Sequence, residues 1–250
     1  MIGMSIVDTK SVRDFGGDGQ VIVLLHGFLS SSRYWNRLQP YLTASGYRVI
    51  AVDLLGFGRA PRPKYSTYGY REHIAYLDVI LKKMKLDKPF TVIGHSMGAL
   101  LALRYAILSP SRINSLVLLH PPIYKNCNEA RYSLKRTSRL YRFLIESRYR
   151  RFVWAFIITF SIQNIAMHSR ISRERTFENV IEQSEALPDL AKTETKTLLL
   201  MGLQDRPEFI ANLNTAKLSS TVTVLTKNLS HNSPAAKPSE IQQTIIDFIG

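Results

Sequence analysis

A serine flanked by glycines stands at the centre of the stretch "VIGHSMGALLALRYA", residues 92–106. Ser96 follows a short apolar run and precedes a segment with helical spacing. A strand, then Gly-X-Ser-X-Gly, then a helix makes a sharp turn that projects the serine hydroxyl from the carboxyl edge of a sheet. The turn requires small residues two positions before and after the serine, and Gly94 and Gly98 meet that requirement. The stretch predicts a nucleophilic serine, with a helix entry devoid of chemistry as the alternative.

A nucleophilic serine needs a base, because its hydroxyl is a weak nucleophile at neutral pH; the base is usually a histidine oriented by a carboxylate. The chain order expected for this turn is serine, acid, histidine. His120 ends a predicted strand too close to Ser96 to leave room for the acid, and His168 lies in a region of helical pattern. His231, in the loop "KNLSHNSP", is therefore the predicted base.

The acid is predicted from its place after a strand. Asp205 follows the apolar run "TLLLMG", where a carboxylate can hold the second nitrogen of the histidine ring. A surface turn would explain the same residue without chemistry. The competing acids are Asp189, Glu194 and Glu208.

A tetrahedral intermediate of acyl transfer needs hydrogen-bond donors for its negatively charged oxygen. The backbone N–H of Met97, directly after the serine, is one predicted donor. The second is the backbone N–H of Phe28, in the loop "LLHGFLSSSRYW". We expect His26 and Gly27 to shape that loop.

The elements that must position these residues form an α/β pattern. Short, continuous apolar runs are typical of strands buried on both faces of a parallel sheet. Between several of them lie longer segments of helical spacing, for example residues 70–85. We therefore predict a mostly parallel central sheet with helices on both faces. The predicted strands are Val21–His26, Tyr47–Asp53, Phe90–Gly94, Ser115–His120, Thr197–Gly202 and Thr221–Leu225.

A helical cap is expected within this domain. We assign residues 1–121 and 195–250 to the core and residues 122–194 to the insertion, which shows no strand pattern. Between Lys125 and Arg175 there are twelve lysines and arginines against three acidic residues. Tyr141, Phe152 and Phe156 are the candidate substrate-binding residues of the cap, and its basic residues would face outward. Ordinary packing with solvated arginines is the alternative for the whole segment.

The amino-acid composition bears on which kinds of binding partner the protein could have. The net charge of +14 attracts any polyanion, so it does not choose between an acidic carrier protein, an anionic membrane surface and nucleic acid. No nucleic-acid motif accompanies the basic residues, so we expect no nucleic-acid partner. The single cysteine, the lack of a leader pattern and the lack of a long apolar run lead us to expect a soluble cytoplasmic protein.

These residues together resemble the α/β-hydrolase superfamily, and in particular its capped serine hydrolases: carboxylesterases, monoacylglycerol lipases, carbon–carbon bond hydrolases and carrier-protein methyl ester esterases. Two loop positions depart from the family pattern, with Leu55 in place of proline and Ser230 in place of glycine. Epoxide hydrolases and haloalkane dehalogenases of this fold carry aspartate as the nucleophile, and the serine argues against both. The resemblance is carried by "LLHGFLSSSRYWNRLQPYL", "VIAVDLLGFGRA", "VIGHSMGALLALRYA", "LVLLHPP", "LLLMGLQDRPE" and "NLSHNSPAAKPSEIQQTIIDFI".

The resemblance implies the same roles as the chain order: Ser96 as nucleophile, Asp205 as acid, His231 as base, and Phe28 and Met97 as oxyanion donors. It implies a serine hydrolase that cleaves a small-molecule carboxylic ester, acyl or anionic, through an acyl-enzyme and without cofactor or metal. A carbon–carbon bond hydrolase would use the same three residues. A non-catalytic ligand-binding protein of this fold would need only the pocket.

Overall fold

The computed structural model describes residues 9–86, 88–137 and 167–250. Within them, seven strands form one sheet in the spatial order β1-β3-β2-β4-β5-β6-β7. Every neighbouring pair is parallel except β1 with β3. The strands are β1 (Val12–Asp14), β2 (Val21–Leu25), β3 (Arg48–Val52), β4 (Phe90–His95), β5 (Ile113–Leu119), β6 (Thr197–Gly202) and β7 (Val222–Lys227).

Helices cover both faces of this sheet. Successive side chains of a strand point to opposite faces, so Val23 and Leu25 of β2 enter one core and Ile22 and Leu24 enter the other. Helices α2 and α3 pack in the first core, and α1 and α9 in the second. The described helices are α1 (Gln39–Ala44), α2 (Tyr70–Lys83), α3 (Met97–Leu108), α4 (Cys127–Thr137), α5 (Arg170–Thr176), α6 (Ala186–Lys192), α7 (Pro207–Asn214), α8 (Ser233–Ala236) and α9 (Gln242–Ile249).

The predicted fold class is confirmed, because six strands form at the six predicted apolar runs and helices flank the sheet on both sides. Two details differ from expectation. The sequence pattern missed β1, which has only three residues and pairs antiparallel with β3, Val12 opposite Val52. Strand β7 lies at the other edge of the sheet, so Val224 and Leu225 are 37% and 38% exposed instead of buried.

The described residues between β5 and β6 are mainly helical. They include α4, α5, a π-helical turn at Phe177–Ile181 and α6. His168 forms one isolated β-bridge with Phe57. The division at residues 122–194 stays a prediction, and the cap candidates Tyr141, Phe152 and Phe156 lie outside the described residues. In the part of the chain that the structure describes, no helix has the length and apolar character needed to cross a bilayer.

Candidate active site

Ser96 occupies a strained turn between β4 and α3. Its backbone has φ 53° and ψ −119°, a left-handed conformation that is costly for a residue with a side chain. The two flanking glycines allow the chain to pass close to itself. A Cβ on Gly94 would lie 2.5 Å from the carbonyl oxygen of Gly98, and a Cβ on Gly98 would overlap the carbonyl oxygen of Leu25. The turn therefore projects the hydroxyl at the carboxyl edge of the sheet.

The structure brings the three residues predicted from chain order into one hydrogen-bonded series. The Nε2 atom of His231 lies 3.0 Å from the Oγ atom of Ser96, and its Nδ1 atom lies 2.6 Å from the Oδ2 atom of Asp205. A carboxylate only accepts hydrogen bonds, so Nδ1 carries the proton and Nε2 offers a lone pair to the serine hydroxyl. This is the tautomer that general-base chemistry requires.

Asp205 is held as the charged form. Its side chain is 6% exposed, and its second oxygen accepts the backbone N–H of Arg206 at 2.8 Å. Burial raises the pKa of this carboxyl, but the hydrogen bond with His231, the electrostatic attraction to that ring and the Arg206 N–H together outweigh burial. The pKa of Asp205 consequently lies below its ordinary value of 3.8.

The other candidate acids form no hydrogen bond with His231 in the described structure. Asp189 accepts a hydrogen bond from the guanidinium of Arg104 at 2.8 Å, and Glu208 accepts one from the hydroxyl of Ser133. Glu194 has no hydrogen bond to His231 among the described residues, and the same holds for the other two. Of these four acids, Asp205 alone forms a hydrogen bond with the imidazole of His231 in the described structure.

The two predicted oxyanion donors belong to the cleft and to the nucleophile turn. Phe28 lines the same cleft as Ser96, and Met97 is the next residue in the chain. In the described part of the chain, neither backbone N–H donates to a protein acceptor. The ring of Phe28 packs edge-on against Phe57 and at a tilt against Phe177, each with centroids 5.8 Å apart. These contacts hold the loop that carries the Phe28 N–H.

His26 has the structural role expected for it. Its Nδ1–H donates to the carbonyl of Gly27 at 2.7 Å, and its Nε2 accepts the N–H of Leu54 at 2.9 Å. Asp53, which sequence reasoning missed, supports the same loop by accepting the N–H of Ser32 at 2.6 Å. Its position directly after β3, at the carboxyl edge of the sheet, was the available indication.

Both apolar and charged side chains line the cleft. Aromatic and aliphatic side chains, among them Phe28, Phe177 and Ile181, form the apolar part. Arg33 and Arg37, from the turn that follows β2, lie at the rim. Neither guanidinium has an acidic partner among the described residues. Sequence reasoning missed this rim because the two arginines lie far from the basic insertion.

The chain matches the family of the alpha/beta hydrolase fold over residues 20–222 and therefore belongs to it. The probable lysophospholipase BODYGUARD 2 of Arabidopsis thaliana is 41% identical over 140 residues, which are 53% of this chain and 28% of that protein. A 2-hydroxy-6-oxo-6-(2'-aminophenyl)hexa-2,4-dienoic acid hydrolase of Metapseudomonas resinovorans is 36% identical over 106 residues, 41% of this chain and 36% of that protein. The matched segments thus span about a third or less of these relatives.

Among solved structures, a bromoperoxidase from Bacillus anthracis has the same fold. It superposes with a TM-score of 0.74 at 22% sequence identity, covering 95% of this chain and 94% of that one. The match confirms the hydrolase fold over nearly the whole chain.

Proposed function

We propose that this protein is a serine hydrolase that cleaves a carboxylic ester through an acyl-enzyme. The observation that carries the proposal is the hydrogen-bonded series Ser96–His231–Asp205, with distances of 3.0 Å and 2.6 Å. Support also comes from Phe28, which lines the same cleft, and from Met97, which follows the serine, because neither backbone N–H has a protein acceptor among the described residues. Together these supply a nucleophile, a base, an orienting carboxylate and an oxyanion site.

The reaction begins when His231 takes the hydroxyl proton of Ser96 as the serine oxygen attacks the ester carbonyl. The N–H groups of Phe28 and Met97 hold the oxygen that becomes negative, and each such donor contributes about 3 to 4 kcal/mol to lowering the barrier. His231 then gives its proton to the departing alcohol. Water, deprotonated by the same ring, hydrolyses the acyl-enzyme and restores the serine.

The substrate we propose combines an acyl chain with an anionic group. The apolar wall at Phe28, Phe177 and Ile181 suits the acyl chain, and the unpaired guanidiniums of Arg33 and Arg37 in the described rim suit an anion. The relative from Arabidopsis thaliana is called a probable lysophospholipase. A lysophospholipid has both features, so it is the first substrate to test.

A fluorophosphonate probe tests the serine directly. The wild-type protein should be labelled on Ser96, Ser96→Ala should lose the label, and the matched variant Ser115→Ala should keep it. Short-chain p-nitrophenyl esters should give a burst of one p-nitrophenol per labelled site, which is the kinetic fingerprint of an acyl-enzyme. Ester turnover that survives Ser96→Ala unchanged would contradict the proposal. A ligand that raises Tm without any labelling would favour a binding protein instead.

A carbon–carbon bond hydrolase is the second candidate, favoured by the 36% identity to the dienoic acid hydrolase. It would use the same three residues. Incubation with a dienol-keto acid separates the two candidates, because cleavage removes the absorbance of the conjugated substrate. Loss of that absorbance at a rate above the turnover of acyl esters would overturn the ester assignment.

A partner for the basic insertion, either an acidic carrier protein or an anionic membrane surface, remains a proposal based on charge. Two described arginines of the insertion have intramolecular ion pairs: Arg131 with Glu182 and Arg170 with Glu174, each at 2.9 Å. The proposal therefore depends on residues 138–166. Charge reversal at Arg139 and Arg142 should weaken binding to acidic carrier protein or to anionic vesicles, and unaltered binding to both would reject it.

A further inference from the structure

Two buried histidines that the proposed reaction does not use border the loop that carries His231. His95 ends β4 and is 3% exposed, and His120 follows β5 and is fully buried. Their ring centroids lie 5.0 Å and 6.1 Å from that of His231. Burying a polar ring is costly unless it forms hydrogen bonds. The hydrogen bonds of these two rings therefore indicate what the rings do.

His95 binds the backbone of the proposed base itself. Its Nε2 atom lies 2.8 Å from the carbonyl oxygen of His231. A carbonyl only accepts, so Nε2 carries the proton and donates it to that oxygen. Tyr34 stacks on the ring of His95 with centroids 4.6 Å apart and 13° between planes, and its hydroxyl oxygen lies 3.3 Å from the Nε2 atom of the same ring. The ring is thereby fixed against the loop.

His120 binds the same loop at a second point. Its Nε2 atom lies 2.8 Å from the Oγ atom of Ser233, a fully buried residue two positions after His231 and the first of α8. The backbone of His120 has φ 50°, in the left-handed region that is unfavourable for histidine. Its N–H donates to the carbonyl of Leu200 at 2.9 Å, which anchors this conformation to β6.

We propose that His95 and His120 are positioning residues that clamp the loop at His231 and at Ser233. Both extend from the ends of central strands, which are rigid. After Leu229, which accepts the N–H of Gln204, the backbone bonds of the His231 loop are local, such as Ser233 N–H to Ser230. A base must stay within hydrogen-bonding distance of its nucleophile, and a displacement of about 1 Å can cost roughly a hundredfold in rate. The inference rests on the proposed function, in which His231 is the base.

Electrostatics agrees with a positioning role. Burial lowers the pKa of His120 to about 4, and burial together with the neighbouring histidines lowers the pKa of His95 well below 6.5. Both rings are therefore neutral at neutral pH. During the reaction His231 becomes positively charged, and two neutral neighbours do not oppose that charge as two cationic rings would.

The test uses Ser233→Ala, with Ser115→Ala as matched control. Both serines are buried and both form a 2.8 Å side-chain hydrogen bond, to His120 and to Thr91 respectively, but Ser115 lies near the start of β5, away from the loop. We expect Ser233→Ala to lower kcat per fluorophosphonate-titrated site roughly tenfold with KM unchanged within about twofold. Ser115→Ala should lower only Tm.

Substitutions of the two histidines test whether a side chain that reaches the Nε2 position restores activity. His95→Asn and His120→Asn are too short to keep the Nε2 contacts and should lower kcat by roughly ten- to a hundredfold. His95→Gln and His120→Gln place an amide where Nε2 stood and should recover most of that loss. The combination of His120→Asn with Ser233→Ala should cost little more than the larger single effect, because both changes remove one contact.

Hydrogen exchange gives a readout that does not depend on activity. Amides of residues 229–236 should exchange faster in Ser233→Ala and His95→Asn than in the wild type, and at the wild-type rate in Ser115→Ala. The clamp would be overturned if Ser233→Ala and His95→Asn both kept the wild-type kcat per titrated site. It would also be overturned if Ser115→Ala lost as much kcat as they do. If the fluorophosphonate does not label the wild-type protein, the proposed function fails. Independently, hydrogen exchange that is unchanged in Ser233→Ala and His95→Asn would reject the clamp.

Discussion

The Nε2 atom of His231 lies 3.0 Å from the Oγ atom of Ser96, although 135 positions of sequence separate the two residues. The parallel sheet makes this contact possible, because β4, β6 and β7 all end at the same edge. The serine follows β4, the aspartate follows β6 and the histidine follows β7. The chemistry we propose depends on this shared edge.

Asp205→Asn should lower kcat by about 10³- to 10⁴-fold with little change in KM. An amide in this position can donate to Nδ1 of His231 and so favours the tautomer with its proton on Nε2, which cannot accept the serine proton. Steady-state kinetics on a p-nitrophenyl ester measures the loss. A decrease below tenfold would mean that another group orients the ring.

Gly98→Ala should destabilise the protein by about 3 kcal/mol or more, because the added methyl overlaps the backbone of β2 at Leu25. For a chain of this size that loss lowers Tm by about 6 to 12 °C. Gly69→Ala is the control, since its Cβ would meet atoms only at 3.6 Å and should cost less than about 1 kcal/mol. Equal Tm values for the two variants would contradict the close approach at the nucleophile turn.

Stability should fall as the pH falls from about 6.5 towards 4. Burial lowers the pKa of His120 to about 4 and that of His73 to about 3, whereas both titrate near 6.5 when exposed. In this window the unfolded chain binds more protons than the folded one, so the free energy of unfolding decreases by up to about 1.4 kcal/mol per pH unit for each proton. Asp205 contributes only at lower pH, because its pKa lies below 3.8.

Urea unfolding at pH 7.5 and 5.0 measures this effect. His73→Gln removes one of the titrating groups and should reduce the difference between the two free energies. A wild-type free energy of unfolding that is the same at both pH values would show that these histidines are not buried as neutral rings.

Substitution of both Arg33 and Arg37 by glutamine should raise KM for an anionic ester about three- to tenfold. Each exposed guanidinium contributes up to about 1 kcal/mol to binding an anion, and added salt should weaken the effect. A neutral p-nitrophenyl ester of the same acyl length is the control substrate, and its KM should not change. Equal changes for both esters would indicate that the rim shapes the cleft without selecting charge.

Much of the fold was predictable because burial on two faces leaves a local pattern. Each of β2 to β6 contains a short apolar run, and such runs are visible without knowledge of their neighbours. Strand β1 was not predictable, since three residues carry no periodicity. The exposure of β7 depends on its place at the edge of the sheet, which is a property of strand order.

The sequence by itself determined the nucleophile turn and the order of Ser96, Asp205 and His231, because a tight turn and a chain order are local and linear properties. Only the tertiary structure decided which buried side chains support them. His95 and His120 meet the His231 loop across 136 and 113 positions of sequence, at the ends of two adjacent strands. The periodicity of the sequence cannot predict such a contact. The contact forms only when separate strands lie side by side and their ends share one edge of the sheet.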